Sequence, residues 1–400
     1  MPKKPKLFIG LMSGTSMDGV DAALLEIAGA GRQTRLRLVH FVSIPFDPPV
    51  RQKLLHVASG NPVSAQVISH LNFLLGEAYT ETVTKLCEEA HVSFRQIDAI
   101  GCHGQTIFHQ SEPGEFCGRP MVSTLQIGEA SLIAEQTGVT TVCDFRPRDM
   151  AAGGKGAPLI PYVDYLLFRH ARKGRILLNL GGIANLTVLS AGARLANVTA
   201  FDTGPGNMVI DALVRKATRN QKNFDRNGDL ARRGRVLPTV LKKLMQHPYF
   251  GFAPPKTAGR EQFGDEFVDH LIQIADGAGS EDLICTATEL TAQSIAQAIE
   301  RFVIQRTPIR ELIVSGGGSK NRYMGERLKA ALPRLVVLES DAVGVPSLAK
   351  EAIGFALLAN ETLHLKPSNV PSATGARHEV ILGKVVYGKN YKRTWRCPTP

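Results

Sequence analysis

"LFIGLMSGTSMDGVDAALLEIAG", residues 7–29, sets two apolar runs on either side of a turn made of Gly14, Thr15, Ser16, Met17 and Asp18. Short apolar runs punctuated by glycine read as strands, so the stretch is a strand, a turn and a second strand. "RLRLVHFVSIPF" (35–46) adds a third, and the chain opens as a meander of three. "VISHLNFLLGEAYTETVTKLCEEA" (67–90) then repeats apolar residues every three or four positions, the spacing of a long amphipathic helix. "IDAIGCHGQTIF" (97–108) is a further strand running into a glycine loop.

The plan restarts further on. "RILLNLGGIANLTVL" (175–189) is again strand, glycine turn, strand; "ELTAQSIAQAIERFVI" (289–304) reads as a helix; "IRELIVSGGGSKN" (309–321) is a strand meeting three glycines; and "PSLAKEAIGFALLANETL" (346–363) is a late helix. Strands alternating with helices predict an α/β fold, and the echo between the halves predicts a duplicated unit. Four hundred residues exceed what one core usually serves. Gly and Pro concentrate in the stretch after Cys143, which places a first domain at 1–148 and a second at 149–400. The last helix or tail is the part of the second that can pack back on the first.

Composition narrows the function classes. Hydrophobic residues make up 44% and charged residues 21%, an ordinary globular balance. The net charge of +11 is scattered, with Lys3, Lys4 and Lys6 at the start and "KNYKRTWR" near the end, and no basic face interleaves with aromatics. That pattern predicts no nucleic-acid partner. Six cysteines, at 87, 102, 117, 143, 285 and 397, show no metal-ligand spacing and suit a reducing cytoplasm. Neither a signal peptide nor a run of about 18 apolar residues is present, so no membrane is expected.

Glycine-rich strand ends carry the chemistry. Such a turn aims backbone N–H groups together and keeps Cβ atoms away from a bulky anion. "SGTSMDG", "NLGGIANL" and "VSGGGSKN" each follow an apolar strand, and three of them suit a nucleotide held between two lobes. Thr15 and Ser16 add hydroxyls, and Asp18 supplies a carboxylate for Mg²⁺, directly or through water. "AGGKGAPL" (152–159) lacks the Ser or Thr of a Walker A loop, and no kinase H-R-D or D-F-G set occurs.

Asp202, in "AFDTGPGNMVIDAL", ends an apolar stretch just before a Gly-Pro-Gly turn and is either a general base or the cap of the following helix. His103 and Gln105 lie at a strand end, and Arg146, Arg148 and Asp149 near the junction; such groups suit recognition of a sugar or a carboxylate. His103 is equally readable as a buried, hydrogen-bonded histidine, and the arginines as pairing with an anion or stapling two lobes.

"GLMSGTSMDGVDAAL", "GCHGQTIFH", "CDFRPRDMAAGGKGAPLIP", "LNLGGIANLT", "FDTGPGNMVIDA" and "VSGGGSKN" occur in the order seen in bacterial anhydro-N-acetylmuramic acid kinases, which the chain resembles from residue 7 to about 380. The resemblance implies the two-lobed fold of sugar kinases, actin and Hsp70, ribonuclease H-like in each lobe, with a central nucleotide cleft. It implies an ATP-dependent reaction in peptidoglycan recycling: ATP and water convert 1,6-anhydro-N-acetylmuramic acid to N-acetylmuramic acid 6-phosphate and ADP.

Carried over by motif, ATP falls to Gly14, Thr15, Ser16, Met17, Asp18, Gly19, Val20 and Asp21, with Gly181, Gly182, Asn185, Gly316, Gly317, Gly318 and Asn321. Asp202 is then the catalytic base, while His103, Gln105, Arg146, Arg148, Asp149 and Asn207 face the sugar. A homodimer is implied as well. Two other readings of the residues stay open: a kinase acting on an ordinary sugar hydroxyl, and an ATP-driven switch protein.

Overall fold

The computed structural model describes residues 5–394. Lys3, Lys4, Cys397 and the end of the basic tail lie outside the described residues. The chain forms two compact units, one made of the part through Leu166 with the part from Ala349 onward, the other of Leu167–Leu348.

In the first unit, β1 (Lys6–Ser13), β2 (Gly19–Ala28) and β3 (Arg35–Pro45) form the antiparallel meander. Then β4 (Ile97–Phe116) lies parallel to β1, β5 (Arg119–Ile127) folds back on the far half of β4, and β6 (Thr141–Cys143) runs parallel to β4. Strand Lys384–Val386 closes that edge antiparallel to β6. Period-two alternation divides β1 between two helices. Ile9 and Leu11 join the core formed with Leu71, Leu75, Tyr79, Val83 and Leu86 of helix Ala65–Glu89, while Gly10 faces helix Lys350–Leu363.

That second contact is backbone against backbone. A Cβ on Gly10 would lie 1.8 Å from Ala352 O, and one on Gly101 of β4 would lie 2.1 Å from Phe355 O. Ala352, Ala356 and Ala359, all fully buried, keep the helix surface as flat as the glycines keep the sheet.

The second unit repeats the scheme. A meander of β7 (Arg175–Leu180), β8 (Ile183–Leu189) and β9 (Thr199–Pro205) is followed by β10 (Glu311–Ser315) parallel to β7 and β11 (Val336–Glu339) parallel to β10. The order β11-β10-β7-β8-β9 matches β6-β4-β1-β2-β3 of the first unit. Helices Met208–Ala217 and Ser280–Ile299 bury Val209, Ile210, Leu213, Leu290 and Ile295 in its core.

The boundary differs from the one expected at 148/149. Helix Phe145–Ala151 stays with the first unit because Asp149, inside it, bonds to Gly156, Asn369 and Thr374. The Gly/Pro-rich stretch is thus an internal loop of that unit, and the crossing comes within helix Ile160–Phe168. Among the described residues no helix is long and apolar enough to cross a membrane.

Gly10→Ala is expected to lower stability by about 2–3 kcal/mol in urea unfolding, since overpacking against a main-chain oxygen leaves no flexible atom to move. Gly325→Ala is the control: it sits within helix Arg322–Ala331, where a new Cβ meets nothing within 4 Å. It should stabilise by about 0.5–1 kcal/mol. An unchanged midpoint for Gly10→Ala would contradict the packing described.

Candidate active site

The turn between β1 and β2 is held from below. Ser13, 1% exposed, donates its hydroxyl to Gly19 O at 2.9 Å and reaches Gln105 Oε1 at 2.5 Å. Gln105 Nε2 donates to Gly14 O at 3.1 Å. Met17 adopts φ +50° and drops its side chain into the core, bonding its N–H to Gly14 O at 3.2 Å. Gly19 is required by β3, because a Cβ there would lie 2.2 Å from Ile44 O.

What the turn exposes is Thr15, Ser16 and Asp18, with the Ser16 hydroxyl 2.7 Å from Asp18 Oδ1. Gly14 is open, since a Cβ on it would meet nothing closer than Ser16 Oγ at 3.8 Å. Val20 is core. Asp21 is half-buried on β2, its carboxyl raised by burial and by Asp18 and eased down by Ser43.

Of the residues expected to face a sugar, the structure joins His103 and Arg146. Arg146 Nε donates to His103 Nε2 at 3.0 Å and Nη1 to Gly156 O at 2.8 Å. His103 is 4% exposed, its ring 4.6 Å from that of Phe355, and burial together with the Arg146 cation holds its pKa well below the usual histidine value. A neutral imidazole accepting at Nε2 carries its proton on Nδ1. Arg146 remains a cation, lowered to about 10 by burial and supported by Glu351 and Asp149.

Sequence reasoning missed Glu351. Its signal was an acid in the first turn of a helix whose middle is small and apolar, and burial raises its carboxyl while Lys350 and Arg146 pull it down.

Three more of the expected sugar contacts lie in this unit and are not joined to that pair. Gln105 is 0% exposed and braces the Gly14–Asp18 turn. Asp149 is 0% exposed with both oxygens engaged: Oδ2 accepts from Gly156 N at 2.9 Å, and Oδ1 from Asn369 Nδ2 and Thr374 Oγ1, each at 2.9 Å. It is a latch between chain segments. Arg148 points away into solvent.

In the second unit, Asp202 stands on β9 opposite Asn185 of β8, half-exposed. Its Oδ2 accepts from Ala258 N at 2.8 Å, its main-chain O from the Tyr249 hydroxyl at 2.9 Å, and its N–H donates to Lys256 O at 3.0 Å. Asn207, not Asp202, occupies the N-cap position of helix Met208–Ala217, so the capping alternative falls. A carboxylate fixed at one oxygen and partly open is chemically a base.

The glycine turns of this unit lie together. Gly181 O accepts from Asn207 N at 2.8 Å, and Gly182 O from Gly206 N at 2.8 Å. Gly316 takes φ +82°, where a Cβ would lie 2.5 Å from Asn179 Oδ1, and a Cβ on Gly318 would lie 2.9 Å from the Asn207 amide. Asn207, expected at the sugar, is thus a wedge between two glycine turns, its Nδ2 donating to Leu180 O at 3.2 Å. Asn321 caps helix Arg322–Ala331, accepting from Met324 N at 2.9 Å. Gly317 alone of the three has nothing within 4 Å of a Cβ.

Of these glycines, Gly14, Gly181, Gly182 and Gly317 leave a Cβ no contact closer than 3.5 Å. Among the described residues no group of three or more His, Cys, Asp or Glu gathers as a metal site. A lone exposed carboxylate such as Asp18 fits Mg²⁺, which takes one or two protein oxygens and keeps substrate phosphates and waters.

The chain matches the family model described as anhydro-N-acetylmuramic acid kinase over residues 6–388. It is 44% identical over 385 residues to the anhydro-N-acetylmuramic acid kinase of Caldanaerobacter subterraneus subsp. tengcongensis, covering 96% of this chain and 97% of that one. The same-named protein of Bacillus cereus (strain AH187) is 44% identical over 380 residues, 94% and 98% covered. Among solved structures it is similar to the activator of the 2-hydroxyisocaproyl-CoA dehydratase from Clostridium difficile with bound ADPNP, at TM-score 0.43 and 12% identity over 88% of this chain and 94% of that one. A ROK hexokinase from Thermus thermophilus follows at TM-score 0.36 and 14% identity, covering 88% and 97%. Likenesses that distant add nothing to the reading of the site.

Asp149→Ala strands three donors and should cost about 2–4 kcal/mol of stability by urea unfolding, with Arg148→Ala within about 0.5 kcal/mol of the parent. A stable Asp149→Ala protein would remove the latch from this description.

Proposed function

Since the chain belongs to the anhydro-N-acetylmuramic acid kinase family, we propose how its residues divide the work of that reaction. The enzyme uses ATP and water to convert 1,6-anhydro-N-acetylmuramic acid to N-acetylmuramic acid 6-phosphate and ADP, a step of peptidoglycan recycling.

Asp202 is the general base. A water attacking C1 gives its proton to the Asp202 carboxylate, the C1–O6 bond breaks with its electron pair on O6, and O6 attacks the γ-phosphorus as ADP leaves. Support for this comes from the half-exposed carboxylate whose Oδ2 is pinned by Ala258 N–H at 2.8 Å, the observation on which the reading chiefly rests. A base so held needs no rearrangement before it acts.

ATP phosphates are received by the backbone and hydroxyls of Gly14, Thr15 and Ser16 and by Gly181 and Gly182. Met17, Gly19, Val20 and Asp21 give the first turn its shape, and Asn185 lines the β8 side beside Asp202. Gly316, Gly317, Gly318 and Asn321 form the adenosine platform, open at Gly317. Asp18 would hold Mg²⁺, directly or through water. When bound, that ion neutralises phosphate charge as the phosphoryl group moves. Arg146, oriented by neutral His103, is the cation offered to the lactyl carboxylate of the sugar.

The enzyme works in the cytoplasm as a homodimer. Free thiols at Cys87, Cys102, Cys117, Cys143 and Cys285 suit the first statement. Exposed Phe108, Phe116, Met121 and Leu125 on the β4–β5 hairpin suit the second.

ADP release should appear with Mg-ATP and 1,6-anhydro-N-acetylmuramic acid and not with N-acetylmuramic acid, glucose or no sugar. Asp202→Asn should lower it by about 10³-fold or more. Turnover with an ordinary sugar, or an active Asp202→Asn, would overturn the assignment.

A further inference from the structure

Lys256 is 7% exposed in a segment with little regular structure, and the reaction as set out above gives it no part. A lysine is seldom buried without a reason. Its Nζ donates to Tyr249 O at 3.1 Å and lies 4.5 Å from the Tyr249 ring centroid and 5.4 Å from that of Phe302. The ammonium therefore bridges two rings and a carbonyl, an arrangement that suits a cation and no neutral chain of the same length.

The segment so closed is the one that grips Asp202. Tyr249 at its start donates to Asp202 O, Lys256 in its middle accepts from Asp202 N, and Ala258 at its end donates to Asp202 Oδ2. Three atoms of one residue are thus fixed by residues 249–258, and the Lys256 side chain ties that span back to its start through the Tyr249 carbonyl and ring.

We propose that Lys256 is a positioning residue for Asp202, clamping residues 249–258 so that the Ala258 N–H holds one carboxylate oxygen in a fixed place. This rests on Asp202 being the base. Charged groups around the clamp are Asp202 on β9 and Arg301 beside Phe302, with Glu261 acting on Tyr249. Burial and Arg301 lower the Lys256 ammonium to about 8, while Asp202 raises it. At neutral pH the clamp is charged, and the same charge favours the ionised form of Asp202.

The test compares Lys256→Met, which keeps an apolar stem between the rings, with Lys256→Arg, which keeps the cation, and Tyr249→Phe, which deletes one hydroxyl. Lys256→Met should lower kcat by about tenfold or more with both KM values unchanged, because placement of the base is lost and substrate contacts are not. Its acidic limb in kcat/KM should move to higher pH, since a cation beside the carboxylate is gone. Lys256→Arg should recover most of kcat and the parent limb, and Tyr249→Phe should lower kcat in the same sense.

Wild-type kcat and an unmoved acidic limb in Lys256→Met would overturn the proposal. If Lys256→Met fails to fold, Lys256→Gln decides, since it removes the charge and keeps an amide for the Tyr249 carbonyl: a parent-like kcat and limb overturn the proposal. Asp202→Asn in the same assay separates the failures. An inactive Asp202→Asn beside a normal Lys256→Met defeats only the clamp, whereas an active Asp202→Asn defeats the base.

Discussion

The contact on which the first unit depends is the seating of helix Lys350–Leu363 on β1 and β4, where Gly10 and Gly101 leave no room for a side chain. Backbone packing this close fixes β1 and β4 relative to one another within fractions of an ångström. The Gly14–Asp18 turn leaves the end of β1, and His103–Gln105 lie on β4 level with that end. Gln105 on β4 can therefore brace a turn that springs from β1. The same helix brings Phe355 under His103 and Glu351 towards Arg146. It is anchored at its start by the buried Lys350–Asp164 pair at 3.0 Å. Near its end Glu361 accepts from Tyr162 Oη at 3.0 Å and from Gly31 N. A buried pair of this kind adds little net stability but is costly to break singly, which suits a device that fixes register.

Much of the architecture was legible because its signals are local. Apolar runs ending in glycine gave the first meander and the β7–β8 pair of the second, while β9 went unread. The duplicated strand order follows from those units, although pairing of β4 with β1 and β10 with β7 is a long-range fact no local window holds. The return of residues from 349 onward to the first unit is long-range too. Its determinant is the match between glycines at 10 and 101 and alanines at 352, 356 and 359, which only coordinates bring together. The boundary near 148 was drawn from glycine and proline, and these mark a loop latched by Asp149 and not a linker.

At the site, residue type was legible and role was not. A polar side chain beside a glycine turn can face a ligand or hold the turn, and the two differ in burial and partners. Gln105, Asp149 and Asn321 are buried and hold the structure, Thr15, Ser16 and Asp18 are exposed, and half-buried Asn207 and Asp202 are told apart by their hydrogen bonds. Arg146 and Arg148, two residues apart, separate for the same reason: one reaches His103 and Gly156, the other solvent. The second unit shows the converse. Tyr249 and Lys256 lie far from Asp202 in sequence and carry no catalytic signature, yet they determine where its carboxylate sits.

The central claim is that one base, Asp202, directs water to C1 and leaves O6 as the nucleophile, so that hydrolysis and phosphoryl transfer are coupled and ATP is not wasted. The direct measurement is turnover in ¹⁸O-labelled water, quenched before the anomeric hydroxyl exchanges, with mass spectrometry of the product fragments. The account predicts one labelled oxygen on C1 of N-acetylmuramic acid 6-phosphate and none in its phosphate. Label in the phosphate, or an unlabelled C1, would contradict it.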